Sequence, residues 1–331
     1  KGFGTYRLVL HLPETDKPLG IEVQPIFSAY RLWINGKLVK EKGTVGTSRA
    51  TAKPNVAPSL VRIEPTGQTA EIVVQVSNFS QRKAGIFYPM ILGEYDDLQQ
   101  NMSRKLVAES AVAGCILIMG MHHLVLYMRM PNRKDSLLFG LICLALGVKT
   151  LTHGQYILAL FFPELSNTVL VTIEYIGFMA SPPLFTLFIY YTFPEIMSKR
   201  VRNGLLLPGA VFLAAVLLLP VHLFTRAAIA MQIYTIATSL TLLAYIGKAA
   251  LRKAEGSALL IFGSVIFLIT IVNDILLNNG MLATKVFFSS GLVFMIVCLN
   301  VILSNNFYTA FQTIERLSRR LLELDQVKNV F

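Results

Sequence analysis

The sixteen residues SALLIFGSVIFLITIV, at positions 257–272, contain no charged side chain, and runs of this kind decide the fold of the chain. A helix needs ~20 predominantly apolar residues to cross the hydrocarbon core of a bilayer. Six other stretches have a similar composition. The sequence therefore predicts a polytopic membrane protein with seven spans, near residues 106–128, 136–160, 168–193, 203–221, 227–247, 256–278 and 285–305.

The composition agrees with this prediction and argues against a nucleic-acid partner. Of the 331 residues, 54% are hydrophobic and 15% are charged, whereas about 25% of the residues in a soluble domain are charged. The net charge is +11, but the basic residues lie mostly in short loops between the apolar stretches. Charges placed there orient a membrane protein, so we expect no binding of nucleic acid.

Lysine and arginine are distributed unevenly between alternate loops. Only Arg226 and Lys285 lie in the even-numbered loops. Nine basic residues follow the first, third and fifth predicted spans, namely Arg129, Arg133, Lys134, Lys199, Arg200, Arg202, Lys248, Arg252 and Lys253. Because loops rich in lysine and arginine stay in the cytoplasm, the N-terminal segment is predicted outside and the C-terminus inside.

Residues 1–98 have the pattern of an all-β domain. Asn35-Gly36 between two alternating segments is a strong hairpin signal. Short β-prone runs are separated by turn residues, and they lie at residues 6–12, 30–34, 37–39, 71–76 and 86–92. Many short strands separated by turn residues predict a β-sandwich, which would form an extracytoplasmic sensor domain over residues 1–98. The seven-helix domain is predicted to cover residues 99–305.

The C-terminal segment, residues 306–331, repeats with heptad spacing. The apolar seam consists of Phe307, Ala310, Ile314, Leu317, Leu321 and Leu324, followed by Lys328 and Phe331. This spacing predicts a parallel dimeric coiled coil that continues the seventh span. The alternative is a short amphipathic helix lying on the membrane or on the other helices. A coiled coil that stops at Phe331 leads us to expect an output domain beyond it.

Several short motifs, together with the order of the domains, resemble one known family. The motifs are Gly2-Phe-Gly-Thr-Tyr-Arg-Leu8, Ser28-Ala-Tyr-Arg-Leu-Trp-Ile-Asn-Gly36, Gly43-Thr-Val-Gly46, Val76-Ser-Asn-Phe79 followed by Ala84-Gly85, and Asn273-Asp-Ile-Leu276. Over essentially its whole length the chain resembles the bacterial seven-transmembrane receptors with diverse intracellular signalling modules (7TMR-DISM). The resemblance implies a jelly-roll sensor domain, a location in the bacterial inner membrane, and sugars or glycans as ligands.

The tail also resembles a segment of signalling enzymes. Leu317-Ser-Arg-Arg-Leu-Leu-Glu-Leu-Asp-Gln-Val-Lys-Asn-Val-Phe331 is similar to the region that precedes the phosphoacceptor helix of a sensor histidine kinase. The resemblance implies a histidine kinase output, as in two-component systems. Other members of the family carry cyclase or diguanylate cyclase outputs instead.

Aromatic and basic side chains of the N-terminal domain are candidates for ligand binding. Tyr30, Trp33 and Tyr88 could form a platform for a sugar, together with Arg82 from the loop before Tyr88. Alternating aromatic residues in a β-sandwich are more often part of the core, and that alternative applies above all to Trp33.

Ionisable residues inside predicted spans form a second candidate site, because charges in a bilayer are costly and usually functional. The orientation places them in the outer half of the membrane, and they are Glu109, Lys149, His153, Glu174 and Asp274, with Asn273 beside the last of these. Lys149 is predicted to meet Asp274 or Glu174. The group is either a static ion-pair network or the lining of an outer cavity that binds a ligand.

No catalytic, phosphate-binding or metal-binding motif is recognisable, so we expect no catalysis by this part of the protein and no cofactor. His122-His123 point to opposite sides of a helix and do not predict a metal site. The leading hypothesis is a homodimeric receptor that senses an extracytoplasmic small molecule, glycan or protein domain. A small-molecule transporter is the alternative, favoured by the helix break predicted at Pro182-Pro183. An adhesion or scaffold protein would leave the heptads unexplained.

Overall fold

The structure is a computed structural model in which an N-terminal β domain is followed by long helices. It describes residues 2–13, 15–63, 68–79, 82 and 85–328, and for residues 310 and 321–328 it describes only the backbone. Two residues of the predicted motifs, Ala84 before Gly85 and Phe331 of the seam, lie outside the described residues.

Seven strands form two antiparallel sheets in the β domain. The first sheet has the order β1-β6-β3-β4 and the second the order β5-β2-β7. The strands are β1 (Gly2–His11), β2 (Leu19–Val23), β3 (Ala29–Ile34), β4 (Lys37–Lys42), β5 (Ser59–Ile63), β6 (Thr69–Asn78) and β7 (Ile91–Glu94). Both sheets contribute to one hydrophobic core, in which Ile21 of β2, Leu32 of β3 and Val74 of β6 are buried. Burial of alternate apolar side chains holds the two layers together.

The hairpin predicted at Asn35-Gly36 is confirmed. Both residues have positive φ angles, 50° and 77°, as a two-residue turn of this kind requires. The strand predicted for residues 86–92 is shorter than expected, because only Ile91–Glu94 is extended within a sheet. Two strands, β2 and β5, were not predicted from the sequence. All five residues of β2 are buried, so this strand lacks the alternation that reveals a half-exposed strand.

Nine α-helices follow in the described part of the chain. They are α1 (Tyr95–Arg129), α2 (Lys134–Thr152), α3 (Ile157–Phe161), α4 (Asn167–Thr192), α5 (Lys199–Leu218), α6 (Val221–Phe224), α7 (Ala228–Leu251), α8 (Ser257–Asn278) and α9 (Phe288–Lys328). A short 3₁₀ turn, Thr225–Ala227, joins α6 to α7. Seven helical segments are long and apolar enough to cross a membrane, which agrees with the seven predicted spans.

The second span differs from its predicted extent of residues 136–160. Helix α2 ends at Thr152, and the next four residues are irregular before α3 begins at Ile157. Gly154 and Tyr156 have left-handed φ angles of 66° and 53°, which an α-helix cannot contain. Hydropathy does not report backbone conformation, so an apolar window predicted one uninterrupted helix here.

Substitution of Gly154 by alanine is expected to destabilise the protein by about 2 kcal/mol, because a Cβ atom there would be strained and crowded. The Cβ atom would lie 2.6 Å from Glu109 Oε2. Gly114→Ala is the matched control, because no atom lies within 4 Å of the Cβ position at Gly114. The stability of both variants is measured by thermal unfolding in detergent, and an unchanged Tm for Gly154→Ala would contradict the expectation.

The packing of the chain divides it into two compact units. The first consists of Lys1–Ile118, Leu144–Ser181 and Leu207–Tyr234, and it contains the β domain with parts of the first seven helices. The second consists of Met119–Cys143, Pro182–Leu206 and Thr235–Phe331, and it contains α8 and α9. Within the first unit, Met179 of α4, Phe224 of α6 and Met231 of α7 share a buried apolar cluster.

Candidate functional site

The first turns of α1 cover the outer face of the smaller sheet. A Cβ atom at Gly20 of β2 would lie only 3.0 Å from the ring of Tyr95, so the absence of a side chain lets the helix approach. Two residues farther along β2, the Glu22 side chain is 6% exposed, and its Oε1 accepts a hydrogen bond from Lys105 Nζ at 2.9 Å. Because a buried carboxylate needs a partner, Lys105 fixes α1 on the β domain.

A second contact joins the β domain to the segment after α5. The Arg49 guanidinium lies against the His222 imidazole of α6, with 2.7 Å between Arg49 Nη2 and His222 Nδ1. The other distance, from Arg49 Nη1 to His222 Nε2, is 3.2 Å. Only one nitrogen of a neutral imidazole accepts a hydrogen bond, so Arg49 donates to one of the two at a time.

The predicted residues Glu109, Lys149, His153 and Glu174 all belong to the first unit. His153 Nδ1 lies 2.9 Å from Glu174 Oε1. Glu109 Oε2 accepts a hydrogen bond at 2.9 Å from the backbone N–H of Gln155. The irregular turn after α2 therefore gathers polar groups from α1, α4 and the turn itself.

Lys149 lies where α2 and α4 approach each other closely. A Cβ atom at Gly177 would lie 2.9 Å from Lys149 Cβ and 2.5 Å from the backbone oxygen of Ala145. Glu174 precedes Gly177 by three residues, so both lie on the same side of α4. The pairing of Lys149 with Glu174 or Asp274 stays a prediction.

Tyr156 lies in the same irregular turn, and it was not predicted from the sequence to be a site residue. Burial, and then the neighbouring Glu174 carboxylate, raise the pKa of the Tyr156 hydroxyl well above its usual value. Tyr88 of the β domain and Tyr175 of α4 act on this pKa in the same direction. A tyrosine within an apolar stretch gives no sequence signal of such a position.

Asn273 and Asp274 belong to the second unit, where they organise the connection between α8 and α9. Asp274 accepts hydrogen bonds from the backbone N–H groups of Phe287, at 2.9 Å, and Phe288, at 3.0 Å. Asn273 Nδ2 donates to the backbone oxygen of Lys285 at 2.9 Å. Asp274 thus caps the N-terminus of α9, where unpaired backbone donors and the helix dipole favour a negative charge.

The four residues predicted to bind a ligand in the β domain have different environments. Tyr30 belongs to the core, because its side chain is fully buried and its hydroxyl lies 2.5 Å from Ser59 Oγ, so the prediction of a surface role for it is wrong. Burial also raises the pKa of Tyr30. Trp33 is half-buried and Arg82 is exposed, while Gln81 and Lys83 of the same predicted loop lie outside the described residues. Tyr88 is half-buried and contacts the edge of Phe87, with 5.1 Å between ring centroids.

The predicted seam lies on α9, which continues without interruption for 41 residues. Phe307 is half-buried, whereas Ile314 and Leu317 are 64% and 55% exposed. The neighbouring Phe311 is 67% exposed. The side chains predicted at the other seam positions, Ala310, Leu321 and Leu324, lie outside the described residues. In the described part of the chain, no group of three or more His, Cys, Asp or Glu side chains is placed to hold a metal ion.

A two-sheet β domain followed by seven long apolar helices defines a multi-pass membrane protein. A family model described as 7TM diverse intracellular signalling (7TMR-DISM_7TM) matches residues 106–306. The match covers more than half of the chain, and the chain belongs to this family of membrane receptors with a signalling role. The family resemblance of the sequence is thereby confirmed. No curated protein sequence matches the chain.

Two solved structures show a limited similarity to the chain. The crystal structure of a beta-glycosidase from Bacteroides vulgatus is 20% identical, with 28% of this chain and 12% of that chain covered and a TM-score of 0.23. The crystal structure of a putative beta-galactosidase from Bacteroides fragilis is 18% identical, with 28% and 15% covered and a TM-score of 0.22. Similarities of this extent decide neither the fold nor the function.

Proposed function

We propose that this chain is the sensor and membrane part of a homodimeric bacterial receptor, which passes a signal to a cytoplasmic output domain through α9. The observation that carries the proposal is the continuity of α9. One helix of 41 residues forms the last span and then exposes the seam residues Ile314 and Leu317. Exposed apolar side chains at helical spacing favour packing against another helix, and a parallel coiled coil with a second copy buries them.

The β domain is the sensor in this proposal, and its two-sheet core is compatible with the jelly roll that the sequence resembles. Its ligand would be a sugar, a glycan or another domain outside the cell. Trp33, Arg82 and Tyr88 remain the candidates for a ligand contact in this domain. The group of Glu109, His153 and Glu174 offers hydrogen-bond partners for a polar ligand between the β domain and the helices of the first unit.

The proposed direction of signalling follows from the loop charges. The protein would lie in the bacterial inner membrane, with the β domain outside and α9 extending into the cytoplasm. A histidine kinase is the output that the tail sequence favours, and residues 1–331 would transmit a signal rather than catalyse a reaction. A transporter is less well supported, because α4 continues as one helix through Pro182 and Pro183, where a break was predicted.

The test is the mass of the chain in nanodiscs, measured by light scattering. We expect a concentration-dependent equilibrium of monomer and dimer, and only monomer when residues 306–331 are removed. Replacing Ile314 and Leu317 together by glutamate should have the same effect, because buried charges in a seam are costly. Thr309→Glu with Gln312→Glu is the matched control, since neither position belongs to the seam or flanks it, and this variant should stay dimeric. A monomer at every accessible concentration of the unmodified chain would overturn the proposal.

A further inference from the structure

The connection between α1 and α2, together with the first turn of α2, is held in a fixed shape by its own side chains; we name this segment, residues 130–136, the elbow. Arg133 donates to both carboxylate oxygens of Asp135, from Nε at 3.1 Å and from Nη2 at 2.8 Å. Asp135 Oδ1 also accepts from the backbone N–H of Ser136 at 3.0 Å. A bidentate pair of this kind fixes the plane of the guanidinium as well as its position.

The oriented guanidinium of Arg133 lies on the output helix. Its Cζ atom is 4.2 Å from the centroid of the Phe307 ring. A guanidinium at this distance from an aromatic ring makes a favourable cation–π contact. Phe307 is also the first residue of the predicted seam. Arg133 of the elbow therefore covers a side chain that would pack against the partner helix in the coiled coil.

A buried hydrogen-bonded group holds α9 two turns earlier. His123, near the end of α1, is 2% exposed. Its Nδ1 lies 3.1 Å from Ser136 Oγ, and its Nε2 lies 3.3 Å from Asn300 Oδ1 of α9. The Ser136 hydroxyl donates to the backbone oxygen of His123 at 3.1 Å. Because Asn300 and Phe307 are seven residues apart, the elbow and the end of α1 contact one face of α9.

We propose that His123 and the elbow form an autoinhibitory clasp, which holds Asn300 and Phe307 and thereby keeps the start of the coiled-coil seam from pairing with a second copy. The conflict is steric, since one face of the Phe307 ring cannot be covered by Arg133 and packed between partner side chains together. Release of the clasp frees Phe307 to enter the seam. This inference rests on the proposed function of α9.

Helix α1 gives the clasp a physical connection to the β domain. It is a single helix of 35 residues, with Lys105 bound to Glu22 of the β domain and His123 farther along the same helix.

The experiment uses disulfide formation between copies of the chain in nanodiscs. Leu317→Cys is placed in a variant in which Cys115, Cys143 and Cys298 are replaced by serine or alanine. We expect Arg133→Gln to raise the dimeric cross-linked fraction about two- to fivefold. This is the change in an equilibrium constant that the loss of a single cation–π contact produces. His123→Ala is expected to act in the same direction.

A neighbouring residue supplies the matched control. Arg129→Gln removes the same charge from the exposed end of α1 and should leave the cross-linked fraction unchanged. Cross-links that form in all variants to an equal extent would overturn the clasp while leaving the receptor proposal intact. Failure of Leu317→Cys to cross-link in any variant would instead count against the proposed function and the clasp together.

A distance within one chain tests the clasp without dependence on dimers. Spin labels at Asn132→Cys and Tyr308→Cys, in chains diluted with unlabelled protein, report the separation of the elbow from α9. We expect a narrow distance distribution that broadens and lengthens in Arg133→Gln but not in Arg129→Gln. An equally narrow distribution in Arg133→Gln would show that the elbow does not hold α9, and the inference would fail.

Discussion

Replacing Gly177 by leucine is expected to disrupt the packing of α2 against α4 and to destabilise the protein by roughly 3 kcal/mol or more. A Cβ atom at Gly177 would lie 2.5 Å from the backbone oxygen of Ala145, so a side chain cannot enter unless a helix moves. Small residues allow this close approach of helices in membranes. Thermal unfolding in detergent should show a Tm lowered by many degrees, or no folded protein.

The matched control for this substitution is Gly247→Leu in α7. No atom lies within 4 Å of the Cβ position at Gly247, which is also a glycine of a span. It should express and unfold as the unmodified chain does. Equal stability of Gly177→Leu and Gly247→Leu would mean that the approach of α2 and α4 does not depend on glycine.

The second large effect is expected for Asp274→Ala. This substitution removes a carboxylate that accepts two backbone hydrogen bonds at the start of α9 and one from Asn273 Nδ2 at 2.8 Å. Loss of an N-terminal cap costs ~0.5–2 kcal/mol, and hydrogen bonds to a charged group contribute about 1.5–3 kcal/mol each. We therefore expect a loss of at least about 2 kcal/mol, together with faster hydrogen exchange at Phe287 and Phe288.

Two comparisons separate this cap from a general charge effect. Asp274→Asn keeps one oxygen acceptor but no charge, so its stability should lie between the alanine variant and the unmodified chain. Lys285→Ala removes a charge from the same connection, where the side chain is exposed and Asn273 bonds only the Lys285 backbone oxygen. The Lys285→Ala substitution should change the stability little. Unaltered exchange at Phe287 in Asp274→Ala would contradict the assignment of a cap.

Some features of the fold could be predicted because they depend on composition or on short-range patterns. Apolar runs long enough for a bilayer predicted the seven helices, and Asn35-Gly36 predicted the β3–β4 hairpin. The strand β2 was missed because it is buried on both faces, under the core on one side and under Tyr95 on the other. Burial of the second face depends on α1, a partner more than seventy residues away in the chain.

The candidate sites were predictable only in part. Glu109, His153, Glu174 and Asp274 could be predicted as site residues, because an ionisable side chain inside an apolar stretch is costly in a bilayer and is usually functional. The partners of those residues were not predictable. Glu109 accepts a hydrogen bond from one backbone N–H group, and Asp274 accepts hydrogen bonds from two. Every residue except proline has a backbone N–H group, so the residue types in the sequence do not reveal these partners. Both a ligand platform and the core were open for Tyr30, because alternation along β3 shows two faces without showing which one is buried.

The sequence by itself determined that the chain is a membrane protein with a β domain before seven spans, since bilayer thickness and hydrophobicity act on any apolar run of sufficient length. It also determined the heptad spacing of the tail. Only the tertiary structure decided that Lys105 holds Glu22, that Asp274 caps α9, and that Arg133 lies on Phe307. These contacts join residues far apart in the chain. Their geometry follows from how helices and strands pack, and a periodic pattern in one segment carries no information about its partner.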